Sequence, residues 1–325
     1  MTSITLPENW QSTVASGADA LRALALNEKA KQHISSDPAL LPIARRISKR
    51  FIGGESMAEA LATLERGSAK GHRATVDYMG ESCRDEAFAN VETAQFLQLV
   101  EQLALRKIDS SVSLDLSHVG SVINESLGLA NARKIAAACA RTRREMIISA
   151  EGSDRADLTH RIYEALCKEF NNVGITVQAR LHRTERDLEK LLQLPGKIRL
   201  VKGAYFEPES SAYPRTSDAL AKAYRTYAQR LIKSGHSCSI ASHDRTILDD
   251  LQQFIQTHAL QKNPFEFEML MGLWDEQLDA MKQRGYATRE YVVYGSEWFL
   301  YVCNRIAEEP IRLYQALVDA VAEQG

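Results

Sequence analysis

Eight times after residue 73, a short apolar run gives way to a longer stretch whose apolar residues recur with helical spacing. The runs are ATVDYMG (74–80), SVSLDLS (111–117), EMIISAE (145–151), GITVQARL (174–181), IRLVKGAY (198–205), SCSIASHD (237–244), FEFEMLMG (265–272) and REYVVYG (289–295). Segments such as LGLANARKIAAACARTRR and DALAKAYRTYAQRLIKSG carry the 3.6-residue period between them. Gly174, Gly235 and Gly285 follow such segments and read as helix stops. Strands joined by helices run parallel, because the crossover returns the chain to the same end of the sheet. Eight such units are the number that closes a (β/α)8 barrel. An open doubly wound sheet is the competing α/β arrangement, but its G-x-G-x-x-G fingerprint is absent. The expectation is one TIM-like barrel over 74–325 ending in C-terminal helices. A helical segment over 1–73 precedes it and caps its bottom or side.

A chain of 325 residues suits one such barrel, and its 45% hydrophobic and 25% charged residues suit a large core. A net charge of -2 points away from nucleic acid as a partner. The basic run RRISKR (45–50) lies on a helical pattern and reads as a solvated face, so membrane contact is at most peripheral. No apolar run is long enough to span a bilayer, and MTSITLPENW does not read as a signal peptide. The five cysteines are odd in number and form no metal-binding spacing. These features suggest a cytoplasmic protein, possible contact being with the inner face of a membrane, and no metal. Oligomeric state stays open.

In a barrel of this kind chemistry gathers where the strands end. The polar residues late in the runs are Asp77, Glu81, Asp115, His118, Glu151, Gln178, Lys202, His243, Asp244, Glu268 and Tyr291. The eighth run leads into YGSEWFLYVCNRIAEEP, where Tyr301, Asn304, Arg305 and Glu308 share one helix face. In IRLVKGAYFEPE, Arg199 and Lys202 bracket a strand end, Gly203-Ala204 gives backbone room, and Tyr205 and Phe206 supply aromatic faces. That set suits an anionic planar ligand such as a nucleotide or flavin. Ser242, His243 and Asp244 are consecutive, so their side chains diverge, and a hydrolytic triad is disfavoured; hydrogen bonds to a phosphate or ribose suit them better.

Taken together, VDYMGES, QARLHRTERDL, RLVKGAYFEPE, ASHD, FEFEMLMG and YVVYGSEWFLYVCNRIAEEP resemble the flavin-dependent proline dehydrogenases. These occur as single enzymes and as domains of proline utilisation proteins. The likeness runs in order from FIGGES to the end of the chain. It implies a distorted barrel that binds FAD without a dinucleotide fold. It also implies hydride transfer from proline C5 to the flavin, giving pyrroline-5-carboxylate, with reoxidation by a quinone or another acceptor. By position, Gln178, Arg199 and Lys202 would contact the flavin and its phosphates, and Gly203 and Ala204 would give it room. Tyr205 or Phe206 would flank the adenine, and Ser242 and His243 would hold the pyrophosphate side.

The substrate half departs from the family pattern. Tyr291, Tyr301, Arg305 and Glu308 match it, but the first of two carboxylate-clamping arginines is Asn304. The substrate-side lysine is replaced by Asp115, and the third-strand aspartate by Ser149. With unperturbed ionisation the set is about two formal charges more negative than the family's. Three readings follow. The first is an amine dehydrogenase acting on a proline-like or modified amino acid that carries an extra cation or lacks a free carboxylate. The second is an ordinary L-proline dehydrogenase, and the third a silent flavin-binding or partner-binding barrel.

Overall fold

The computed structural model describes residues 8–80, 83, 85–205, 207–308, 310 and 312–322. Its centre is a closed parallel barrel of β1 Arg73–Tyr78, β2 Ser110–Leu114, β3 Met146–Ile148, β4 Val173–Gln178, β5 Ile198–Val201, β6 Cys238–Ala241, β7 Phe265–Leu270 and β8 Thr288–Tyr294. Each strand pairs with the next, and β8 returns to β1 in the register Thr75–Tyr291 and Asp77–Val293. All eight expected strands are present, and the barrel expectation holds.

Four helices precede the barrel: α1 Glu8–Ala25, α2 Glu28–Ser36, α3 Leu40–Ser48 and α4 Met57–Ala69. After β1 to β7 come α5 Glu86–Leu105, α6 Glu125–Arg141, α7 Ala156–Cys167, α8 Thr184–Leu191, α9 Asp218–Ser234, α10 Arg245–Thr257 and α11 Asp275–Gln283. After β8 come α12 Trp298–Glu308 and α13 Arg312–Ala322. Side-chain oxygens start several of them: Ser56 and Glu59 form a reciprocal capping box on α4, and Asp85, Asn124, Ser217 and Asp244 cap α5, α6, α9 and α10. Gly235 ends α9 in the left-handed conformation, as its position suggests. Gly174 does not act as a stop. It lies inside β4 opposite Ile147, and α7 has already ended at Cys167.

Strand parity separates two environments. Outward side chains such as Val76, Val112, Leu114, Ile148, Ile175, Leu200, Ile240 and Phe267 are fully buried in one apolar core under the helices. Inward positions are polar, and at the N-terminal end they are joined by charge-assisted bonds. Arg289 Nε and Lys197 Nζ donate to Glu266 Oε1 at 2.7 and 2.8 Å, the Ser239 hydroxyl donates to it at 2.7 Å, and Arg289 Nη1 donates to Ser111 Oγ at 3.0 Å. Arg289 and Glu266 are 4% and 2% exposed, so this ion network is the floor of the barrel.

The ring of outer helices is irregular at the closure. α4 packs on β8 and β1, the slot that the helix after β8 fills in a regular barrel. α12 is thereby displaced and packs against α1. A second apolar core of Phe51, Ile52, Leu273, Trp298, Phe299, Val302 and Ile306 fixes it there. Gly53 N–H donates to the Val293 carbonyl at 2.7 Å, which seats the 51–54 segment at the C-terminal end of β8. Of the N-terminal helices, α4 thus covers the side of the barrel, the second of the two expected places, while α1 packs on α12, whose apolar face matches its own, beside the end where the strands terminate.

Candidate active site

Above the ion network, the next inward layer is organised by Arg199. Its Nε donates to Thr176 Oγ1 at 2.9 Å, and its Nη2 donates to Ser113 Oγ at 3.1 Å and reaches Ser149 Oγ at 3.4 Å. Its guanidinium carbon lies 4.7 Å from the centre of the Tyr291 ring. Burial opposes the charge, but Tyr291, Glu268 and Asp77 outweigh burial and raise its pKa. Nη1 stands 3.7 Å from Glu268 Oε1 and finds no hydrogen-bond partner among the described residues. Ser149 is drawn into this layer, 2.7 Å from Ser113 Oγ and 6% exposed.

Acids gather beside Arg199 on the β1–β3 side. The Tyr291 hydroxyl donates to the Asp77 carboxylate. Burial, and then repulsion from Asp115, push Asp77 up to about 7. Burial raises Asp115 as well; His118, with Nε2 at 3.8 Å from its carboxylate, opposes the shift, and Glu151 adds to it. Asp115 stands where β2 ends, directly before the short turn Leu116–Val119. Glu151 is matched by Arg155 at 2.5 Å.

The β5–α9 loop lies over the next part of the mouth. Gly203 adopts φ +107, a conformation costly for any other residue, and a Cβ there would come within 2.8 Å of Gln178 Oε1. Gln178 donates from Nε2 to the Glu151 carbonyl at 2.9 Å, while its Oε1 is buried without a partner among the described residues. Arg180 holds the loop by donating to the carbonyls of Tyr213 at 3.1 Å and Tyr205 at 2.5 Å, and Arg215 donates to the carbonyl of Ala204. Tyr205 is 42% exposed, yet its hydroxyl is raised above the usual range by burial and then by Asp115, Glu151 and Asp77. Phe206 and Glu81 lie outside the described residues.

Lys202 is paired with Asp244 at 2.8 Å. Ser242 accepts the Asp244 N–H at 3.1 Å, and its hydroxyl turns toward the cap of α10. His243 Nε2 accepts the Leu270 N–H at 2.9 Å, which assigns the ring proton to Nδ1. Burial, followed by Arg305, Arg312 and Lys202, pushes its pKa down to about 3. His243 is a neutral donor at physiological pH and offers no positive charge.

On α12, Arg305 Nη2 pairs with Glu308 at 2.7 Å and its guanidinium carbon lies 5.1 Å from the Tyr301 ring centre. Arg305 Nε and the Tyr301 hydroxyl are buried without partners among the described residues. Asn304 is half-buried on the same helix, and Glu308 is exposed at its end. Cys303 faces the second core, and burial pushes its thiol up to about 11, as expected of an inert cysteine.

The folded chain thus brings Asp115, Ser149, Gln178, Arg199, Gly203, Tyr205 and Tyr291 to one end of the barrel, with the polar face of α12 beside them. Asp77 and Glu151 appear among the polar strand-end residues, but their coupling to Asp115 emerges only in the structure. Arg180 goes unnoticed in the sequence, although its i+2 spacing from Gln178 is a usable signal. Among the described residues no cluster of metal ligands exists, and no helix is long and apolar enough to cross a membrane.

The proline dehydrogenase family model matches residues 60–307, from α4 through the barrel to α12. The chain belongs to the proline dehydrogenase family. Proline dehydrogenase 1 of Bacillus subtilis subsp. natto is 33% identical over 81% of this chain and 87% of its own length. The proline dehydrogenase of Deinococcus radiodurans is 32% identical over 88% and 94% respectively. Proline utilization A from Bdellovibrio bacteriovorus, solved after inactivation by N-propargylglycine, superposes with a TM-score of 0.78 at 21% identity. That match covers 93% of this chain and 37% of the larger protein, and it establishes the shared fold. As a member of the proline dehydrogenase family this chain is an oxidoreductase of amino-acid metabolism.

Proposed function

We propose that this protein is a flavin-dependent dehydrogenase that oxidises the C–N bond of a proline-like or modified amino acid to C=N, the hydride of the adjoining C–H passing to FAD and the nitrogen's proton to a base. The observation that carries the reading is the open hydrogen-bonding capacity at the barrel mouth. Gln178 Oε1 and Arg199 Nη1 are both buried and unpartnered among the described residues, beside a glycine loop that a Cβ would crowd. Such groups fit the polar edge of a flavin. When bound, FAD supplies the hydride acceptor.

In this reading Gln178, Arg199 and Lys202 hold the cofactor, and Gly203 and Ala204 let the backbone approach it. Ser242 and neutral His243 offer hydrogen bonds on its phosphate side, and Tyr205 or Phe206 offers an aromatic face. A fixed guanidinium at Arg199 favours negative charge that develops above it during the reaction. Arg305 binds a substrate carboxylate where one is present, held by Glu308 and the Tyr301 ring. Ser149 and Asn304 add neutral polar contacts, and Asp77, titrating near neutrality beside Tyr291, is able to take the amine proton. A quinone or another acceptor would be needed to take the electrons onward.

L-Proline itself is a second reading, favoured by relatives named proline dehydrogenase over most of this chain. Both readings require bound flavin. Protein reconstituted with FAD and desalted is expected to keep about one flavin per chain. Colourless protein that takes up none contradicts both.

A further inference from the structure

Glu207 lies on the loop between β5 and α9, four residues beyond Gly203, and is 7% exposed. Its carboxylate is held from another loop. Ser153 donates its N–H to Glu207 Oε1 at 2.7 Å, and the Ser153 hydroxyl donates to Oε2. Ser153 opens the short turn Ser153–Arg155, which runs directly into α7, so the carboxylate also sits at the positive end of that helical stretch. A buried carboxylate bonded through both oxygens is a fixed point, because breaking the bond strands a charge out of water.

β4 lies between β3 and β5, so a bond from the β3–α7 loop to the β5–α9 loop crosses above the C-terminal end of β4. That end is Gln178, which donates to the Glu151 carbonyl at 2.9 Å and keeps Oε1 buried without a partner among the described residues. Gly203 rests on the same atom, since a Cβ there would stand 2.8 Å from Gln178 Oε1. The segment carrying Gly203, Ala204 and Tyr205 therefore forms a strap that starts against Gln178 and is tied down at Ser153, on the other side of β4. The loop's remaining anchors hold it to the segment that follows β4. Arg180 donates to the carbonyls of Tyr205 and Tyr213, the His182 N–H donates to the Ser211 carbonyl at 2.9 Å, and Leu181 pairs with Ala212. Among the described residues, the hydrogen bonds that reach the β3–α7 loop are those between Glu207 and Ser153.

We infer that Glu207 is a positioning residue for the flavin: its bond to Ser153 closes the strap over the end of β4 and retains the cofactor there. This deepens the flavin reading above and rests on it for the identity of the ligand. With both oxygens engaged by Ser153, Glu207 acts through the strap and not by touching the cofactor. Breaking the bond leaves the way in as open as before and makes the way out easier, so release quickens while association keeps its rate.

FAD-loaded full-length wild type, Glu207→Ala, Ser153→Ala and the double variant test this. Release is followed by flavin fluorescence after dilution, and association by stopped-flow mixing of flavin-free protein with FAD. Glu207→Ala is expected to release FAD about tenfold or more faster than wild type, with an association rate within about threefold of it. Ser153→Ala, which keeps the N–H donor, is expected to quicken release by about threefold or more. Added to Glu207→Ala it should change release by no more than about twofold, because the two residues make one bond. Wild-type release in Glu207→Ala, effects that multiply in the double variant, or a loss of affinity carried by the association rate overturns the inference. Where Glu207→Ala fails to fold, Ser153→Ala decides alone: quickened release supports the strap, and wild-type release overturns it. Failure of the flavin reading looks different, because the wild-type protein then takes up no FAD at all.

Discussion

Arg305 has its guanidinium edge on Glu308, its face on Tyr301, and Nε buried without a partner among the described residues. Truncating it removes the cation but leaves the barrel's own contacts intact. Arg305→Ala is expected to lower kcat/KM for any carboxylate-bearing substrate by about 30-fold or more, the cost of losing a buried charge partner. Flavin content should be unchanged. Stopped-flow reduction measures the first and absorbance the second; undiminished reduction removes Arg305 as the anchor. At this scale the sequence is informative wherever spacing decides direction, as for Tyr301, Arg305 and Glu308 on one helix face. It marks Asp77 and Tyr291 as strand-end candidates but not their meeting, which follows from the β1–β8 register that sets Asp77 one pair beyond Val76–Val292. His243 is similar: its motif suggests a phosphate ligand, but its protonation follows from burial, from arginines far along the chain and from a backbone N–H of β7.

The eight strands are legible as elements because each is a short apolar run bounded by turns, and parallel pairing follows from the helices between them. The exchange of α4 for α12 is not legible. Both helices are amphipathic with a partner face to find, and only tertiary packing decides which one covers β8 and β1. Phe51 is fully buried in the core that retains α12, and Trp298 Nε1 donates to Glu55 Oε1 at 3.1 Å beside it. Phe51→Ala is expected to cost about 3–5 kcal/mol in stability. Because α12 carries Arg305, substrate affinity should weaken together with urea resistance. A variant that loses stability but keeps wild-type affinity would show that α12 is positioned by other contacts.

For the whole molecule, two buried groups pull stability in opposite directions with pH. Burial alone would raise Glu266, but Arg289 and Lys197 hold it down at about 2. Its ion network is therefore fully present above the ordinary carboxylate range and is lost as pH falls toward 2. Asp77 is raised to about 7, so the folded state holds a proton that the unfolded chain releases near 4. Its contribution falls as pH rises from about 4 to 7 and levels off above that. The flavin-free protein is thus expected to lose on the order of 1–3 kcal/mol between pH 5.5 and 8, and Asp77→Asn to flatten that slope. Urea midpoints across this range check it; an unchanged slope in the variant assigns the dependence elsewhere. Net charge and composition place the chain among ordinary globular proteins, whereas the polar barrel interior emerges only from alternating parity once the strands are paired.

On the proposed function, this mouth would bind FAD and the hydride of the C–H beside an amine nitrogen would pass to it. Anaerobic titration of the FAD-loaded protein with L-proline, 4-amino-L-proline, L-prolinamide and linear amino acids tests it directly. Bleaching of the flavin absorbance by at least one of these amines, to completion and in proportion to amine added, is the expected result. Flavin that stays bound and fully oxidised against every amine in the series contradicts the claim.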